Sequence, residues 1–269
     1  MYIWTPTGQI PFTLKKFGDG QPHLKLEHDD SGWHQATIEA RIGNMDELFE
    51  VLLAKSALEA TGKAVSLDIR YLLGGRMDRR DSYLEPDTLA IIAKIILSAG
   101  FRKIRVLDPH SEKTVTLLGA KAVYPAAVMM NVLKNYHTTP LIVAPDKGAA
   151  YRAQLFAPQS TIIICDKTRN NDAGGIVGYK VNHPELVAGR ECLIADDICD
   201  GGRTFSRCAA ELLKEGAKSV DLFVTHGIFT YQDGKPFALD GIRWIWTTDS
   251  YQQRREGVVT FPVTMFHMV

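Results

Sequence analysis

The segment CLIADDICDGGRTF, residues 192–205, places carboxylates and glycines directly after an apolar run. Its acids, Asp196, Asp197 and Asp200, can accept hydrogen bonds from sugar hydroxyls or hold a magnesium ion. Glycine-rich backbone leading into a helix, here predicted to begin near Thr204, presents amides to a phosphate group. The phosphate loop would consist of Gly201, Gly202, Arg203 and Thr204. This order of residues predicts a site for a phosphorylated sugar, although adjacent acids also cap helices or solubilise loops.

Polar residues also end three other apolar runs of the chain. These ends are Asp108 to His110, Asp146 with Lys147, and Asp166 to Arg169. Ligands of open parallel sheets bind at the carboxyl ends of the strands, so the three segments are candidates for the same kind of site. Two simpler interpretations stay open: His110 could be a structural histidine, and Lys167 with Arg169 could be a solvated charge pair.

Apolar, β-branched runs alternate with helical patterns along the whole chain. The first half contains AVSLDI, the helical LEPDTLAIIAKIILSAG, KIRVLD, a helix from Glu112, and PLIVAPD. The second half repeats this rhythm with RAQLFA, STIIICD, RECLIADD, the helical TFSRCAAELLKEGA, and SVDLFVTHG. The alternation predicts an α/β fold with central parallel sheets flanked by helices. We expect two half-domains, residues 1–133 and 134–269, and a C-cap glycine at Gly216.

Residues 168–190 are rich in Asn, Asp and Gly and carry positive charge. This composition predicts a mobile loop together with a short hairpin. Long loops inside compact domains often serve as lids, so we expect this segment to cover a ligand.

Composition and charge narrow the class of protein. Hydrophobic residues make up 45% of the chain and charged residues 23%, as in ordinary globular proteins. Lys plus Arg and Asp plus Glu are 31 each, so the balance indicates neither a nucleic-acid nor an anionic-membrane partner. The four cysteines lack CxxC spacing, which predicts reduced core thiols and a cytoplasmic location. No run has the length of a membrane span, so a soluble protein is expected.

The segment LIADDICDGGRT resembles the ribosyl-phosphate signature of type I phosphoribosyltransferases and of ribose-phosphate pyrophosphokinases. Further motifs resemble the pyrophosphokinases and occur in the order of that family. They are KKFGDGQPHLKL at 15–26, RYLLGGRMDRR at 70–80, VLDPHSEK at 106–113, PDKGA at 145–149, DKTR at 166–169 and THGIF at 225–229. The ordered set is more specific than any one motif. It implies two tandem phosphoribosyltransferase-like, or Rossmann-like, half-domains.

The resemblance implies transfer of the β,γ-diphosphoryl group of ATP to the anomeric hydroxyl of ribose 5-phosphate, with release of AMP. Lys167 and Arg169 match the catalytic lysine and arginine of the family. They would stabilise charge in the transition state while the loop closes over them and excludes water.

The remaining site residues are also carried over from the family. His110 and Asp146 match positions that bind Mg²⁺ and the ATP phosphates, and Arg76 and Asp78 match residues that contact ATP. Phe17 and Asp19 match a turn that reaches the nucleotide of a neighbouring subunit, which implies a homo-oligomer, a dimer or larger. Phe17 could equally be a core residue that packs the hairpin. The cluster of Arg76, Arg79 and Arg80 could also be a salt-bridged surface.

The chain departs from the family pattern in the phosphate loop. Gly201 stands where the family commonly has a threonine, and Arg203 where it has a glycine. An added guanidinium could accept a diphosphate, which gives the hypothesis that the acceptor is ADP-ribose, as in NAD salvage. Met77 replaces a common glutamine. The termini are shorter than usual, so the family's hexamer and its allosteric nucleotide control are not carried over.

Two other functions stay open at this point. A phosphoribosyltransferase would share DDICDGGRT but would not explain DKTR, RMDRR or DPHSEK. A catalytically inactive regulatory subunit would explain the departures but not the intact His110, Asp146, Lys167 and Arg169. The absence of GxGxxG after a strand and of GxxxxGK[ST] argues against a dinucleotide dehydrogenase and a P-loop kinase.

Overall fold

The structure, a computed structural model, describes residues 1–27, 32–80, 82–169, 176–230, 239–251 and 257–265. The chain forms two compact units, one of Met1–Val123 with Thr264–Val269 and one of Tyr124–Val263. The boundary between the units lies after Val123, whereas the sequence predicted it after residue 133. The helix Ala126–Leu133 lies between these two positions and belongs to the second unit.

The first unit is built around a mixed sheet. Its strands are β1 (Tyr2–Thr5), β2 (Gly8–Gln9), β5 (Gln35–Ile42), β6 (Ala64–Leu72), β7 (Ile104–Leu107) and β8 (Lys121–Val123), in the order β2-β1-β5-β6-β7-β8. Strands β5 to β8 run parallel, and β1 joins them antiparallel. The helices are α1 (Met45–Ala60), α2 (Thr88–Ser98) and α3 (Glu112–Leu118). A separate hairpin consists of β3 (Phe12–Lys16) and β4 (Pro22–Leu26).

The second unit has a larger sheet with a parallel centre. Its strands are β9 (Leu141–Ala144), β10 (Ile162–Arg169), β11 (Ile176–Val181), β12 (Glu191–Cys199), β13 (Ser219–Gly227), β14 (Ile245–Thr248) and β15 (Val258–Phe261), in the order β11-β10-β9-β12-β13-β14-β15. All neighbours are parallel except β11, which pairs antiparallel with β10. The helices are α4 (Ala126–Leu133), α5 (Lys147–Phe156) and α6 (Arg203–Lys214), with a 3₁₀ turn at Pro184–Leu186.

Each helix that matters for the site has a local reason to begin and end where it does. Asp87 caps α2 and Asp146 caps α5, since each carboxylate accepts a hydrogen bond from a backbone amide three residues ahead. Helix α6 buries the apolar stripe of Phe205, Cys208, Ala209 and Leu212. It ends before Gly216, whose φ of 88° is in the left-handed region, which confirms the predicted C-cap glycine.

The predicted α/β class is confirmed, and each unit has its own apolar core. All four cysteines are free and buried, as the sequence predicted. A hairpin of β10 and β11 is present, but its paired part begins at Cys165, before the predicted segment 168–190, and only β11 lies wholly inside that segment. The rest of the predicted mobile loop, residues 170–175, lies outside the described residues. Across the described ranges, no helix combines the length and the apolar character of a membrane span.

Candidate active site

The carboxylate pair Asp196–Asp197 lies near the carboxyl end of β12. Strand β12 pairs with β9 only as far as Ile194, whereas its pairing with β13 continues beyond the two acids. The side chains of Asp196 and Asp197 are only 17% and 4% exposed. Adjacent carboxylates at this depth are costly unless a cation is close, so the pair is not a solubilising surface feature.

Arg152 of α5 supplies positive charge to this pair. Its Nη1 atom lies 3.5 Å from Oδ1 of Asp196 and 3.7 Å from Oδ1 of Asp197. Burial, and then the neighbouring Asp197 carboxylate, raise the pKa of Asp196 well above its usual range, and Arg152 opposes this shift. Arg152 therefore offsets part of the electrostatic cost of placing two adjacent carboxylates at this strand end.

The glycine-rich turn after β12 leads straight into helix α6. Gly202 is the N-cap with φ of 73°, a left-handed conformation that glycine adopts without strain, and it has no side chain to cap the first turn. The helix begins at Arg203, one residue before the predicted start at Thr204. The first amides of a helix have no intrahelical acceptor, so this turn can receive phosphate oxygens. Arg203 is exposed and Thr204 is half-buried at its edge.

The exit of β13 supports the same turn from the side. The amides of Ile228 and Phe229 both donate to the carbonyl of Cys199, at 2.8 and 3.1 Å. Phe229 is fully buried with a positive φ of 50°, which is rare for a residue with a side chain. The hydroxyl of Thr230 donates to the carboxylate of Asp200. The motif THGIF was recognised from sequence, but its contacts to the turn, and those of Thr230, were not predicted.

Lys167 and Arg169 lie on the outer part of β10, where the strand pairs with β11. Lys167 is opposite Tyr179, and Arg169 is opposite Ile176 after an irregularity between Thr168 and Arg169. At the base of the hairpin, Asp166 forms an ion pair of 3.3 Å with Lys147, the first residue of α5.

Asp146 ends β9, the strand that lies between β10 and β12 in the sheet. Its Oδ1 accepts a hydrogen bond of 3.0 Å from the amide of Ala149, which makes it the N-cap of α5. The side chain is half-buried. The chain passes from β9 through α5 to β10 on one side, and β12, on the other side of β9, follows later in the chain. Ligands of such sheets bind where the strand order changes direction. The second unit thus brings the ends of three predicted strands to one edge.

Arg76 and Asp78 lie in the turn that follows β6 of the first unit. Arg76 is exposed and Asp78 is half-buried. The backbone carbonyl of Asp78 accepts a hydrogen bond of 2.8 Å from Nζ of Lys113, which also lies 3.1 Å from the carboxylate of Asp87. Hydrogen bonds from the amide of Ala90 and from Lys113 lower the pKa of Asp87. Lys113 therefore ties the turn to the start of α2, a contact that the sequence did not predict.

His110 follows β7, the neighbour of β6, and is exposed. Asp108, just before it, is fully buried and has a positive φ of 39°. Its amide donates to the carbonyl of Val123 at 2.7 Å. A strained residue at this point turns the chain sharply out of the sheet, which presents His110 at the same edge as the turn after β6.

Phe17 and Asp19 form the tip of the β3–β4 hairpin. The side chain of Phe17 is 62% exposed, so its alternative assignment as a core residue is wrong. Its ring lies 5.7 Å from that of His23. The carboxylate of Asp19 accepts hydrogen bonds from the backbone and side chain of Gln21, at 3.1 and 2.9 Å. The tip is an ordered turn with an exposed aromatic ring.

The structure groups the predicted residues by unit. Asp146, Lys167, the pair Asp196–Asp197 and the turn 200–204 share the carboxyl edge of the second sheet, and Arg76, Asp78 and His110 share that of the first. The predicted metal-binding residues, His110 and Asp146, belong to different units. Within the described residues, no group of three or more His, Cys, Asp or Glu side chains is arranged to hold a metal ion.

Comparison with known proteins first defines the class. The phosphoribosyl transferase domain family matches residues 124–239, which contain β9, β10, β12 and the turn before α6. The phosphoribosylpyrophosphate synthetase of Mycobacterium smegmatis has the same fold, with a TM-score of 0.77 at 19% identity. The alignment covers 94% of this chain and 86% of that one.

Curated relatives then define the family. The ribose-phosphate pyrophosphokinase of Pyrococcus abyssi is 32% identical over 224 residues, covering 82% of this chain and 77% of that protein. The one from Granulibacter bethesdensis is 30% identical over 252 residues, covering 90% and 80%. The chain therefore belongs to the ribose-phosphate pyrophosphokinase family of ATP-dependent diphosphotransferases, whose reaction is the synthesis of phosphoribosyl pyrophosphate. The resemblance stated from sequence is confirmed.

Proposed function

We propose that this enzyme transfers the β,γ-diphosphoryl group of ATP to the anomeric hydroxyl of ribose 5-phosphate and releases AMP. The observation that carries the proposal is the pair of Asp196, which is partly buried, and Asp197, which is buried, shortly before a helix start at Gly202 that has no side-chain cap. A sugar phosphate presents hydroxyls and a dianion at the two ends of one small molecule. The strand end and the helix start offer acceptors and donors in the same order.

The acceptor would be held by the second unit. The carboxylates of Asp196 and Asp197 would accept hydrogen bonds from ribose hydroxyls, and charged acceptors make such bonds strong. The amides at residues 201–204 would bind the 5-phosphate at the positive end of α6. Asp200, fixed by Thr230, would complete the ribose-phosphate site.

The chemical step is a displacement at the β-phosphorus of ATP. The anomeric oxygen forms a bond to that phosphorus, and the bond from it to the oxygen shared with the α-phosphate breaks, so AMP leaves with that oxygen. The proton of the hydroxyl passes to solvent or to a phosphate oxygen. Negative charge spreads over the transferred oxygens, so positioned cations supply most of the rate. Lys167 and Arg169 would be these cations.

ATP would contact residues of the first unit. Arg76 and His110 are exposed cationic or hydrogen-bonding side chains that can reach phosphate oxygens, and Asp78 lies in the same turn as Arg76. Phe17 offers an exposed ring on which adenine can stack, with Asp19 beside it. An exposed ring at a hairpin tip can also contact a neighbouring subunit, so we propose a homo-oligomer. We also propose a cytoplasmic location, because the four cysteines are free thiols.

The donor set fits magnesium. Mg²⁺ is usually held by one or two carboxylates together with substrate phosphates and water. Asp146 is a half-buried carboxylate just after strand β9, and its Oδ1 atom accepts the helix-cap hydrogen bond of α5. We propose Asp146 as a carboxylate ligand of the ion and His110 as a contact of the ion or of the ATP phosphates, as the family resemblance implies; the two residues belong to different units. When bound, the ion would neutralise charge on the phosphate oxygens.

ADP-ribose is the second candidate acceptor, and Arg203 is the observation that favours it. Arg203 is the first residue of α6 and is exposed beside Gly201 and Gly202. A guanidinium at this point can pair with a second phosphate, which ribose 5-phosphate lacks. An enzyme acting on ADP-ribose would belong to NAD salvage.

The test is AMP release from ATP and magnesium, with ribose 5-phosphate and ADP-ribose offered separately. We expect AMP only when an acceptor is present. Arg203→Gly, which restores the family residue, should leave ribose 5-phosphate turnover intact and should lower turnover of ADP-ribose if that is the acceptor. If no AMP forms with either acceptor, the proposal is refuted, and a phosphoribosyltransferase or a regulatory subunit is favoured.

A further inference from the structure

Arg152 is a charged residue in an apolar helix stripe. The buried residues of α5 are Ala149, Arg152, Ala153 and Phe156, with the spacing of one helix face. Ala153 and Phe156 are at most 1% exposed, and Arg152 as a whole is 9% exposed. Arginine at this depth requires an anionic partner, because an unpaired buried charge costs far more than the stem of the side chain gains.

The partner is the carboxylate pair at the end of β12. Nη1 of Arg152 is within 4 Å of a carboxylate oxygen of both Asp196 and Asp197, and the three side chains are 11%, 17% and 4% exposed. One guanidinium therefore faces two acids, and the distances are those of ion pairs rather than of short bidentate bonds. A carboxylate has several acceptor positions, so a guanidinium at this distance does not by itself prevent the acids from accepting hydrogen bonds from hydroxyls.

Helix α5 makes this contact rigid. It packs on β9, β10 and β12, and it begins at the cap formed by Asp146. The same helix thus fixes the residue expected at the metal and the cation that faces the acids. Asp196 also has a local constraint, since its carboxylate accepts a hydrogen bond of 2.9 Å from the amide of Asp197.

We propose that Arg152 is a positioning residue, which holds the Asp196–Asp197 pair in place for the hydroxyls of the sugar acceptor without touching the acceptor itself. The proposal rests on the proposed function for the identity of the ligand. It does not rest on turnover, because binding of a sugar phosphate can be measured alone. It assigns a role to a residue outside the strand-end motifs.

The test compares Arg152→Met and Arg152→Lys with the wild-type enzyme. Ribose 5-phosphate binding is measured by isothermal titration calorimetry, and KM for each substrate and kcat are measured with magnesium. For Arg152→Met we expect the Kd and KM for ribose 5-phosphate to rise about tenfold or more, the effect of a lost buried charge contact on a binding group. KM for ATP should stay within about twofold, and kcat should change less than KM for the sugar.

Arg152→Lys keeps a cation but has a single ammonium in place of the planar group, so its sugar KM should be intermediate. Arg190→Met is the matched control. Arg190 is an exposed arginine just before the opposite end of β12, where it donates to the carbonyl of Thr139, and its replacement should leave both KM values unchanged.

Three results would overturn the inference. They are an unchanged sugar Kd in Arg152→Met, a large loss of kcat with unchanged KM, and equal increases in both KM values. If Arg152→Met does not fold, Arg152→Lys decides: a sugar Kd equal to wild type would overturn the role, and a selective increase would support it. Failure of wild-type AMP release would refute the proposed function, while calorimetry would still report on Arg152.

Discussion

The two units present their candidate residues in different ways. In the second unit, the acids Asp196 and Asp197 are buried in the end of a central strand and face Arg152. In the first unit, Arg76, His110 and Phe17 are exposed and belong to turns after the strands. The turns themselves are ordered through backbone contacts, such as the bond from Lys113 to the carbonyl of Asp78.

This difference indicates how each substrate would be recognised. A charged pair at this depth lowers the stability of the fold, but its carboxylates are already oriented before the ligand binds. Such preorganised acceptors suit a small polar molecule such as a sugar phosphate. Exposed side chains on ordered turns are accessible to a large nucleotide, which can make contacts with several of them. Single changes in the second unit should therefore act mainly on the sugar or on the chemical step, and changes in the first unit mainly on ATP.

The largest expected effect comes from Lys167→Ala. Loss of a cation that acts on transition-state charge should lower kcat by about 10²–10³-fold, with little change in ATP binding. Steady-state kinetics with a separate measurement of ATP binding checks this. Lys180→Ala, at an exposed lysine of β11 in the same hairpin, should leave kcat unchanged. Equal kcat values for Lys167→Ala and wild type would reduce Lys167 to surface charge.

A smaller effect is expected for Thr230→Val, which removes the hydroxyl that donates to Asp200 while keeping the shape of the side chain. A lost hydrogen bond to a charged acceptor should raise KM for ribose 5-phosphate about 5- to 20-fold. Thr230→Ser keeps the hydroxyl and should behave like wild type. If KM for ATP rises instead, the assignment of this turn to the sugar phosphate fails.

The corresponding change in the first unit is Lys113→Met. It removes the tie between the Asp78 turn and Asp87 while keeping most of the apolar stem. Because Lys113 is 37% exposed, solvent weakens its ion pair, and we expect only about a 3- to 5-fold rise in KM for ATP. KM for the sugar should not change. If Lys113→Met raises KM for the sugar more than KM for ATP, the assignment of ATP binding to the first unit and of sugar binding to the second is wrong.

The smallest effect concerns stability. The pKa of Asp196 is raised in the folded protein, so the folded state binds more protons than the unfolded state between the two pKa values. Stability is therefore lost as pH rises through the folded pKa. Asp196→Asn should raise Tm at pH 7, by about 2–4 °C for each kcal/mol of relief in a domain of this size, and the loss of one carboxylate partner of Arg152 should reduce the gain.

The same measurement repeated toward pH 4 checks the cause of that stabilisation. Wild-type Asp196 becomes neutral there, so the difference in Tm between wild type and Asp196→Asn should shrink. A difference that is constant with pH would mean that the carboxylate charge is not its source. The control for this measurement is an Asp→Asn substitution elsewhere in the same unit. Asp249 is unsuitable, because its Oδ1 atom accepts a hydrogen bond from the amide of Val263 and the substitution could change stability for that reason. Asp240→Asn, at an exposed aspartate of the second unit, is a suitable control and should leave Tm unchanged.

The central strands could be predicted because their signal is local. AVSLDI, KIRVLD, PLIVAPD and SVDLFVTHG are continuous apolar runs, as buried parallel strands require, and each lies within an observed strand or includes one. Strands β1, β2, β14 and β15, which lie at or next to the sheet edges, were not predicted, because short runs such as IWTT lack a distinctive pattern. The central strand β5 was also missed, since QATIEARI mixes polar and apolar residues. The motif residues were found through family resemblance, and their positions at strand ends follow from the fold.

The contacts that complete the site could not be read from the sequence. Arg152 and Asp196 are 44 residues apart, and Lys113 and Asp78 are 35 apart, so no local spacing joins them. The sequence analysis placed RAQLFA among the strand-like runs, whereas the structure has it at the end of helix α5, so the helix stripe that contains Arg152 was not predicted. The strained backbone of Asp108 and Phe229 has no sequence signal, since both are residues with side chains.

The measurement that tests the central claim most directly is ³¹P NMR of ATP and magnesium reacting with ribose 5-phosphate. Transfer of the diphosphoryl group predicts AMP and a new pair of coupled diphosphate signals, formed in equal amounts. The new signals should be absent when Lys167→Ala replaces the wild-type enzyme. Formation of ADP with a single new phosphoryl signal, or of ADP with inorganic phosphate, would contradict the account, because the γ-phosphorus would then be the site of attack.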